Sequence, residues 1–446
     1  MSPEWVSILA LIALFVVGTM LPINMGALAF VAAWLVGMYS LDMEEKDIIA
    51  GISGDLVLTL VGVTYLFAIA KNNGTVDLIV RAAVRAVGGR VGLIPWVMFA
   101  VTALLTAIGA ASPAACAIVG PIALGFAGRY RINALMMGMF VVHGAQAGGF
   151  SPISIYGVIT NSVMRSEDLP VGEMTVFLTS FVINLAIAIV LFLTLGGRQL
   201  MNERIDPDDA DRADDTSDAP SGGSAPRTGT DGGSVATSTS RPGVVQKPDT
   251  DQLTTIAAFL LVAVVALVFD RNIGFTAITA AVVLTALFPQ TQKGAVQQIA
   301  WATVLLVAGV STFASILETA GVPEYVGTWA AGLGTVLLGA LVLCYVGGVV
   351  SAFASSTALL PIIIPISIPL IAEGQIGAVA MVAALAVAST IVDVSPFSTN
   401  GALMVANRPD TIDEEKFYKQ ILGYSAIVVA AGPLLVWAAV VLPGWL

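Results

Sequence analysis

Apolar stretches recur along the whole length of this 446-residue chain. Each is long enough to cross the hydrocarbon core of a bilayer as a helix, which takes about 17–25 residues. Hydrophobic residues make up 57% of the sequence and charged residues only 11%, against about 25% charged in a soluble protein. The composition therefore predicts an all-α integral membrane protein. Its net charge is −11, and much of the acid sits in one central segment. No basic patch stands ready for nucleic acid. The two cysteines, Cys116 and Cys344, both lie inside apolar stretches and do not suggest a disulfide framework. The single histidine cannot build an HExxH zinc site, and no nucleophile-elbow, Walker or GxGxxG signature occurs. The N-terminus lacks the positive region of a signal peptide, so its first apolar run is read as a mature span.

Ten spans are expected, at 5–20, 25–39, 55–70, 134–149 and 174–195, and then at 252–270, 274–288, 302–318, 377–392 and 420–441. Two longer apolar blocks, 91–126 and 332–372, are interrupted midway by small polar residues and proline. The interruptions read Ala111-Ser112-Pro113 and Ser355-Ser356-Thr357. Each block is read as a re-entrant helical hairpin. Residues 75–90, with Arg81, Arg85 and Arg90, form a basic amphipathic segment suited to lie along an interface. Between 199 and 251 the chain turns to Asp, Ser, Thr, Gly and Pro. Such a segment buries too little apolar surface to offset its ordering entropy, and a disordered acidic linker is expected there.

The two flanks of that linker repeat one another. Shifted by 244 positions, Ser112 falls on Ser356 and Pro121 on Pro365. The heptad Ser151-Pro152-Ile153-Ser154-Ile155-Tyr156-Gly157 falls on Ser395-Pro396-Phe397-Ser398-Thr399-Asn400-Gly401. Upstream the shift is 247, pairing Gly62 with Gly309 and Gly74 with Gly321. Near the start it is 248, pairing Asn24 with Asn272 and Gly26 with Gly274. The expected domains are a first repeat over 1–198, the linker, and a second repeat over 252–446. Each holds three spans, a hairpin, a broken helix and a final span. Five crossings per copy turn the second copy upside down, the inverted repeat of many secondary transporters.

Charge placement gives an orientation. With the N-terminus outside, sixteen lysines and arginines fall in inside loops, and only Lys46, Arg165 and Arg271 fall outside. That asymmetry follows the positive-inside rule. It predicts a multi-pass protein of the plasma (inner) membrane, with both termini outside and the linker cytoplasmic.

Broken backbone is tolerated at membrane depth only where it lines a cavity or is buried in protein. The two hairpin tips and the two SPxSxxG breaks are four such places. Their candidate substrate-binding residues are Ser112, Pro113, Ser151, Ser154, Ser355, Ser356, Thr357, Ser395, Ser398, Thr399 and Asn400. Hydroxyls and the positive ends of half-helices suit an anion, while freed carbonyls suit a small cation. Asp393 lies two residues before the second heptad. An intramembrane carboxylate costs about 2.5–3.5 kcal/mol on insertion scales and is a functional candidate by default. Asp393 is the expected cation or proton ligand, with Ser112, Ser356, Gly157 and Gly401 as further cation-site candidates. His143 and Gln146 precede the first break and are considered as site residues beside a packing role. The function expected is symport of a small organic anion coupled to Na+ or H+, with no other cofactor.

These motifs resemble the malonate/dicarboxylate carrier family and, more distantly, the divalent anion–sodium symporters of the ion transporter superfamily. The resemblance is densest over 54–162, where Gly-Ala-Ala-Ser-Pro-Ala (109–114) and Gly-Gly-Phe-Ser-Pro-Ile-Ser (148–154) stand. In the symporters each tip carries Ser-Asn-Thr, which holds substrate carboxylate and helps to form a sodium site. Here the tips read Ala111-Ser112-Pro113 and Ser355-Ser356-Thr357, and both asparagines are missing. The resemblance implies a C3 or C4 dicarboxylate such as malonate, malate or succinate. It also implies a homodimer in which the hairpin-bearing part slides as an elevator against a scaffold made of the first three spans of each copy. Other cargo for the same architecture includes arsenite, or the substrate of a tripartite periplasmic transporter. An enzyme is not expected, because the spans lack a paired acid, a metal cluster or a nucleophile–base set. A channel is disfavoured by the closed hairpins.

Overall fold

The computed structural model describes residues 2–203 apart from 22, 87, 89 and 202, and residues 249–444 apart from 270, 333, 353 and 354. The expected linker at 199–251 falls mostly outside the described residues. The described chain is helical, and no strand occurs among the described residues.

The first flank opens with α1 (Pro3–Met20) and α2 (Met25–Ser40), then a short α3 (Glu45–Ala50), α4 (Gly54–Asn72) and the amphipathic α5 (Thr75–Ala86). A hairpin follows, α6 (Ile94–Ala107) and α7 (Ser112–Arg129). Next come α8 (Ala134–Gly148), the break at 149–154, α9 (Ile155–Ser166), α10 (Glu173–Thr194) and one turn, α11 (Gly197–Leu200). The second flank runs in the same order. It holds α12 (Thr250–Phe269), α13 (Ile273–Leu287), α14 (Trp301–Thr319), α15 (Val322–Ala331) and a hairpin of α16 (Val336–Ser351) with α17 (Ser356–Ile366) and α18 (Ile368–Ala372). It ends with α19 (Ala378–Ile391), a break at 392–398, α20 (Thr399–Ala406) and α21 (Glu414–Val440). Among the described residues six helices have the length and apolarity to cross a membrane, α1, α4, α7, α10, α14 and α21.

Local sequence explains the boundaries. Asn24 and Asn272 each cap the helix that follows, their side-chain oxygens accepting from Gly26 N–H at 2.9 Å and Phe275 N–H at 3.0 Å. An N-cap of this kind is worth about 1 kcal/mol. Gly74 and Gly321, paired by the repeat register, turn the chain with φ of 74° and 73° ahead of α5 and α15. A left-handed φ is costly for any residue with a Cβ. Helix α15 falls between the expected span at 302–318 and the apolar block at 332–372, a stretch to which the sequence reading assigns no element. It occupies the position of α5 without that helix's arginines.

Four long helices interlock in pairs, α2 with α14 and α4 with α13. A methyl group on Gly309 would lie 2.0 Å from the carbonyl oxygen of Gly26, and one on Gly26 2.1 Å from that of Leu305. In the other pair, a methyl on Gly62 would lie 2.6 Å from the Gly274 carbonyl oxygen. The backbones touch where the side chains vanish. The side-chain nitrogen of Asn24 donates to Ala302 O at 3.0 Å, and that of Asn272 donates to Asp55. The register that carries Asn24 to Asn272 and Gly26 to Gly274 carries Asp55 to Ala302 and Gly62 to Gly309. One set of contacts thus maps onto the other.

The hairpins and broken helices pack around α8 and α19, which are buried along nearly their whole length. The hairpin tips and the two breaks meet beside α1, α2 and α14.

Candidate functional site

A cavity of about 410 Å³ lies where these elements meet. Small-molecule sites span about 300–1,000 Å³. The first tip contributes Ser112 and Pro113, the second Ser355 and Thr357. The first break contributes Gly149, Ile155 and Tyr156, and the second Asp393, Ser398 and Thr399. The far wall comes from the α1–α2 corner, with Asn24 and Met25, and from the start of α14, with Ala302 and Leu306. No lysine or arginine lies among the described lining residues.

Four helices begin at this cavity, α7, α9, α17 and α20, so four positive dipole ends surround it. Each favours a nearby anion by about 0.3–1 kcal/mol, and by up to about 2 kcal/mol when partly buried. The four ends are not equivalent. Ser154 caps α9, accepting from Gly157 N–H at 3.4 Å. At α20 the Asp393 carboxylate takes the capping role, accepting from the Asn400 backbone N–H at 3.4 Å and side-chain nitrogen at 2.8 Å. The tip helices α7 and α17 have no side-chain cap. The helix itself gives no partner to the first backbone N–H groups, Ser112 at α7 (Pro113 has none) and Ser356 and Thr357 at α17.

The shared heptad works as a folded corner. Ser154 Oγ donates to Ser151 O at 2.6 Å, and Ser398 Oγ donates to Ser395 O at 2.7 Å. A methyl on Gly157 would lie 2.0 Å from Ser151 O, and one on Gly401 the same distance from Ser395 O. Glycine closes each heptad because the chain folds onto the spot a Cβ would fill.

Of the residues singled out in the sequence, Ser112, Pro113, Ser355, Thr357, Asp393, Ser398 and Thr399 line the cavity. Asn400 is fully buried behind it and ties the site together, since its side-chain nitrogen also donates to Ser112 Oγ at 2.8 Å. Ser356 is not among the residues that line the cavity. Its hydroxyl is bonded to Ser351 Oγ at 2.7 Å and to Ser389 O at 3.2 Å. Ser151, Ser154, Ser395, Gly157 and Gly401 build the corners and do not line the cavity. His143 and Gln146 lie apart from it. The imidazole of His143 is bonded to Asn184 Oδ1 at 2.8 Å and to Tyr424 Oη at 2.6 Å.

Sequence reasoning missed Tyr156. Its ring packs on Phe150 at 5.4 Å, and its hydroxyl lies among Ser112, Ser356 and Asp393. Tyr156 holds the heptad position of Asn400 in the other repeat, which was the available signal. The wall formed by Asn24 and Ala302 was missed as well. The repeated asparagine was visible, but nothing local says that it faces a cavity.

Comparison with known proteins fits this geometry. Residues 1–149 match the sequence model described as the dicarboxylate carrier protein MatC N-terminus, and residues 263–444 match the one described as citrate transporter. No curated protein matches the chain. Among solved structures, the chain is similar to the YdaH transporter of Alcanivorax borkumensis, with a TM-score of 0.57 and 12% identity over 98% of both chains. It is also similar to MtrF of Neisseria gonorrhoeae, described among antimetabolite efflux pumps, with a TM-score of 0.47 and 11% identity over 99% of this chain and 95% of that one. The matched families and the YdaH neighbour are transporters rather than enzymes. The expected likeness to the dicarboxylate carriers is found over 1–149, while 263–444 are similar to citrate transporters, and the chain is similar to multi-pass membrane transporters of small organic anions.

Proposed function

We propose that this protein is a cation-coupled symporter of a small organic anion, most simply a C3 or C4 dicarboxylate such as malonate, malate or succinate. The observation that carries this reading is the pair of uncapped tip helices, α7 and α17, opening on the same cavity as Asp393. A carboxylate group at each tip would receive the free amides together with Ser112 at one end and Ser355 and Thr357 at the other.

Asp393 explains why a cation is needed. A dianion entering beside a third negative charge, with no lysine or arginine in the described wall, would be repelled. A sodium ion or a proton at Asp393 removes that charge and makes the cavity receptive. Carbonyls at the Ser395–Gly401 corner would complete a cation site, and Ser112 with Gly157 is the corresponding place in the other repeat. Loading of the cation and of the anion are thereby linked, the requirement for symport.

The reciprocal contacts Gly26–Gly309 and Gly62–Gly274 support an inverted repeat over 1–198 and 252–446. They favour a scaffold of α1, α2, α4 and α12–α14; by the family resemblance, the hairpins and broken helices would move against it as an elevator within a homodimer. With both termini outside, the α1–α2 corner lies on the cytoplasmic side, and the cavity opens inward.

The match of 263–444 to citrate transporters favours one alternative cargo, a tricarboxylate. Uptake of radiolabelled malonate, malate, succinate and citrate into proteoliposomes, with and without sodium or proton gradients, tests the proposal. Accumulation of a dicarboxylate that requires one of the gradients is expected. Absence of uptake of all four under every gradient would reject it.

A further inference from the structure

A second cavity, of about 330 Å³, repeats the scaffold wall of the first on the other side of the molecule. The first cavity is bounded by Gly18, Ile23, Asn24, Met25, Ala302 and Leu306. The repeat register carries these six to Ala266, Arg271, Asn272, Ile273, Asp55 and Thr59. All six line the second cavity. Its remaining wall is the first broken helix, including Asn161, Ser162 and Arg165, with Glu173 at the start of α10.

The copy differs from the original in chemistry. Where the first wall has Ile23, Ala302 and Leu306, the second has Arg271, Asp55 and Thr59. The two acids at this cavity are already engaged. Asp55 accepts from Ser162 Oγ at 3.2 Å and from the Asn272 side chain. Glu173 is paired with Arg165. Arg271 makes no ion pair among the described residues. Asn161 is 2% exposed, and its side-chain oxygen has no partner. A buried amide atom left unpaired costs about 1–3 kcal/mol, and this one lies at the cavity wall. An amide can turn either its oxygen or its NH2 toward a guest.

We infer that this second cavity is a binding site for a small carboxylate anion, held by Arg271 and the Asn161 amide. It would receive the solute on the face opposite the main cavity. The choice of ligand class rests on the dicarboxylate reading above; the existence of the site rests on the repeated wall and the unsatisfied Asn161. Guanidinium suits the task because its planar fork matches a carboxylate.

Thiol protection in the detergent-purified full chain tests this without requiring transport. The native Cys116 and Cys344 are buried. Ser162→Cys and, separately, Ala266→Cys report on the second cavity, and Ser355→Cys reports on the main one. Malonate, succinate and citrate are the probes. At least one should slow maleimide labelling at 162 and 266, and Arg271→Gln should abolish that protection while protection at 355 persists. Protection at 355 alone would overturn the second site and leave the proposed function standing. Protection at 162 and 266 that survives Arg271→Gln would mean closure from a distance and would also overturn it. No protection at any of the three positions by any probe would count against both readings.

Discussion

Asn400 and Ser112 are 288 positions apart, yet the side-chain nitrogen of the first donates to the hydroxyl of the second at 2.8 Å. The same nitrogen reaches Asp393 at 2.8 Å. One buried amide therefore joins the tip of the first hairpin to the acid of the second break. Asn400→Ala would leave Asp393 and Ser112 each short of a partner inside the protein. The expected cost is about 1–3 kcal/mol, read as a lower unfolding temperature in detergent, with a loss of transport. A variant with unchanged stability and uptake would show that the bridge contributes to neither.

Asp393→Asn keeps the shape of the side chain and removes its charge. The protein should express and fold, carry less anion, and lose its dependence on the driving cation. Uptake measured across a series of sodium and proton gradients checks this. Cation dependence equal to that of the parent would reduce Asp393 to a cap for α20.

The paired serines of the two tips should behave differently, although the sequence register treats them alike. Ser112 lines the cavity, so Ser112→Ala should raise the apparent substrate constant about two- to tenfold, the worth of one ordinary hydrogen bond. Ser356 does not line the cavity, and its hydroxyl is bonded to Ser351 and Ser389. Ser356→Ala should lower stability by about 1 kcal/mol and leave the substrate constant near that of the parent. Concentration series of uptake, beside thermal unfolding, separate the two outcomes. Equal effects of both changes on the substrate constant would contradict the observed orientation of Ser356.

Gly157→Ala and Gly401→Ala each place a methyl where a carbonyl oxygen stands 2.0 Å away. Overpacking of this kind costs about 1–3 kcal/mol, and here it would also open the corner that sets Ile155 and Tyr156 (Gly157) or Ser398 and Thr399 (Gly401) at the cavity. Both variants should fold less stably and transport poorly. Normal transport by either would mean that the corner tolerates rearrangement.

Much of this arrangement could be read from the residues. Helix-length apolar runs gave the elements, and the spacing of Ser, Pro and Gly gave the tips and breaks, because backbone interruptions in an apolar chain need special residues. Helix α15 stayed hidden. Positions equivalent to Arg81 and Arg85 hold Thr328 and Gly332, so the basic stripe that marks α5 is gone. Side-chain direction was not legible either. Ser398 and Ser356 look equally suited to a ligand in sequence, and only tertiary packing turns one toward the cavity and the other toward Ser389. Asn400 was named as a site residue, but its partner Ser112 lies across the fold, and no local pattern encodes that distance.

The absence of lysine and arginine from the described wall of the main cavity has a kinetic meaning. A fixed guanidinium or ammonium would hold a carboxylate tightly and give it up slowly. In the proposed cycle, amide dipoles and hydroxyls would grip it only while the accompanying cation is present. Once that ion departed, Asp393 would regain its charge and expel the passenger. Such a seat sacrifices retention for speed, and it suits a solute abundant enough to refill it after every stroke.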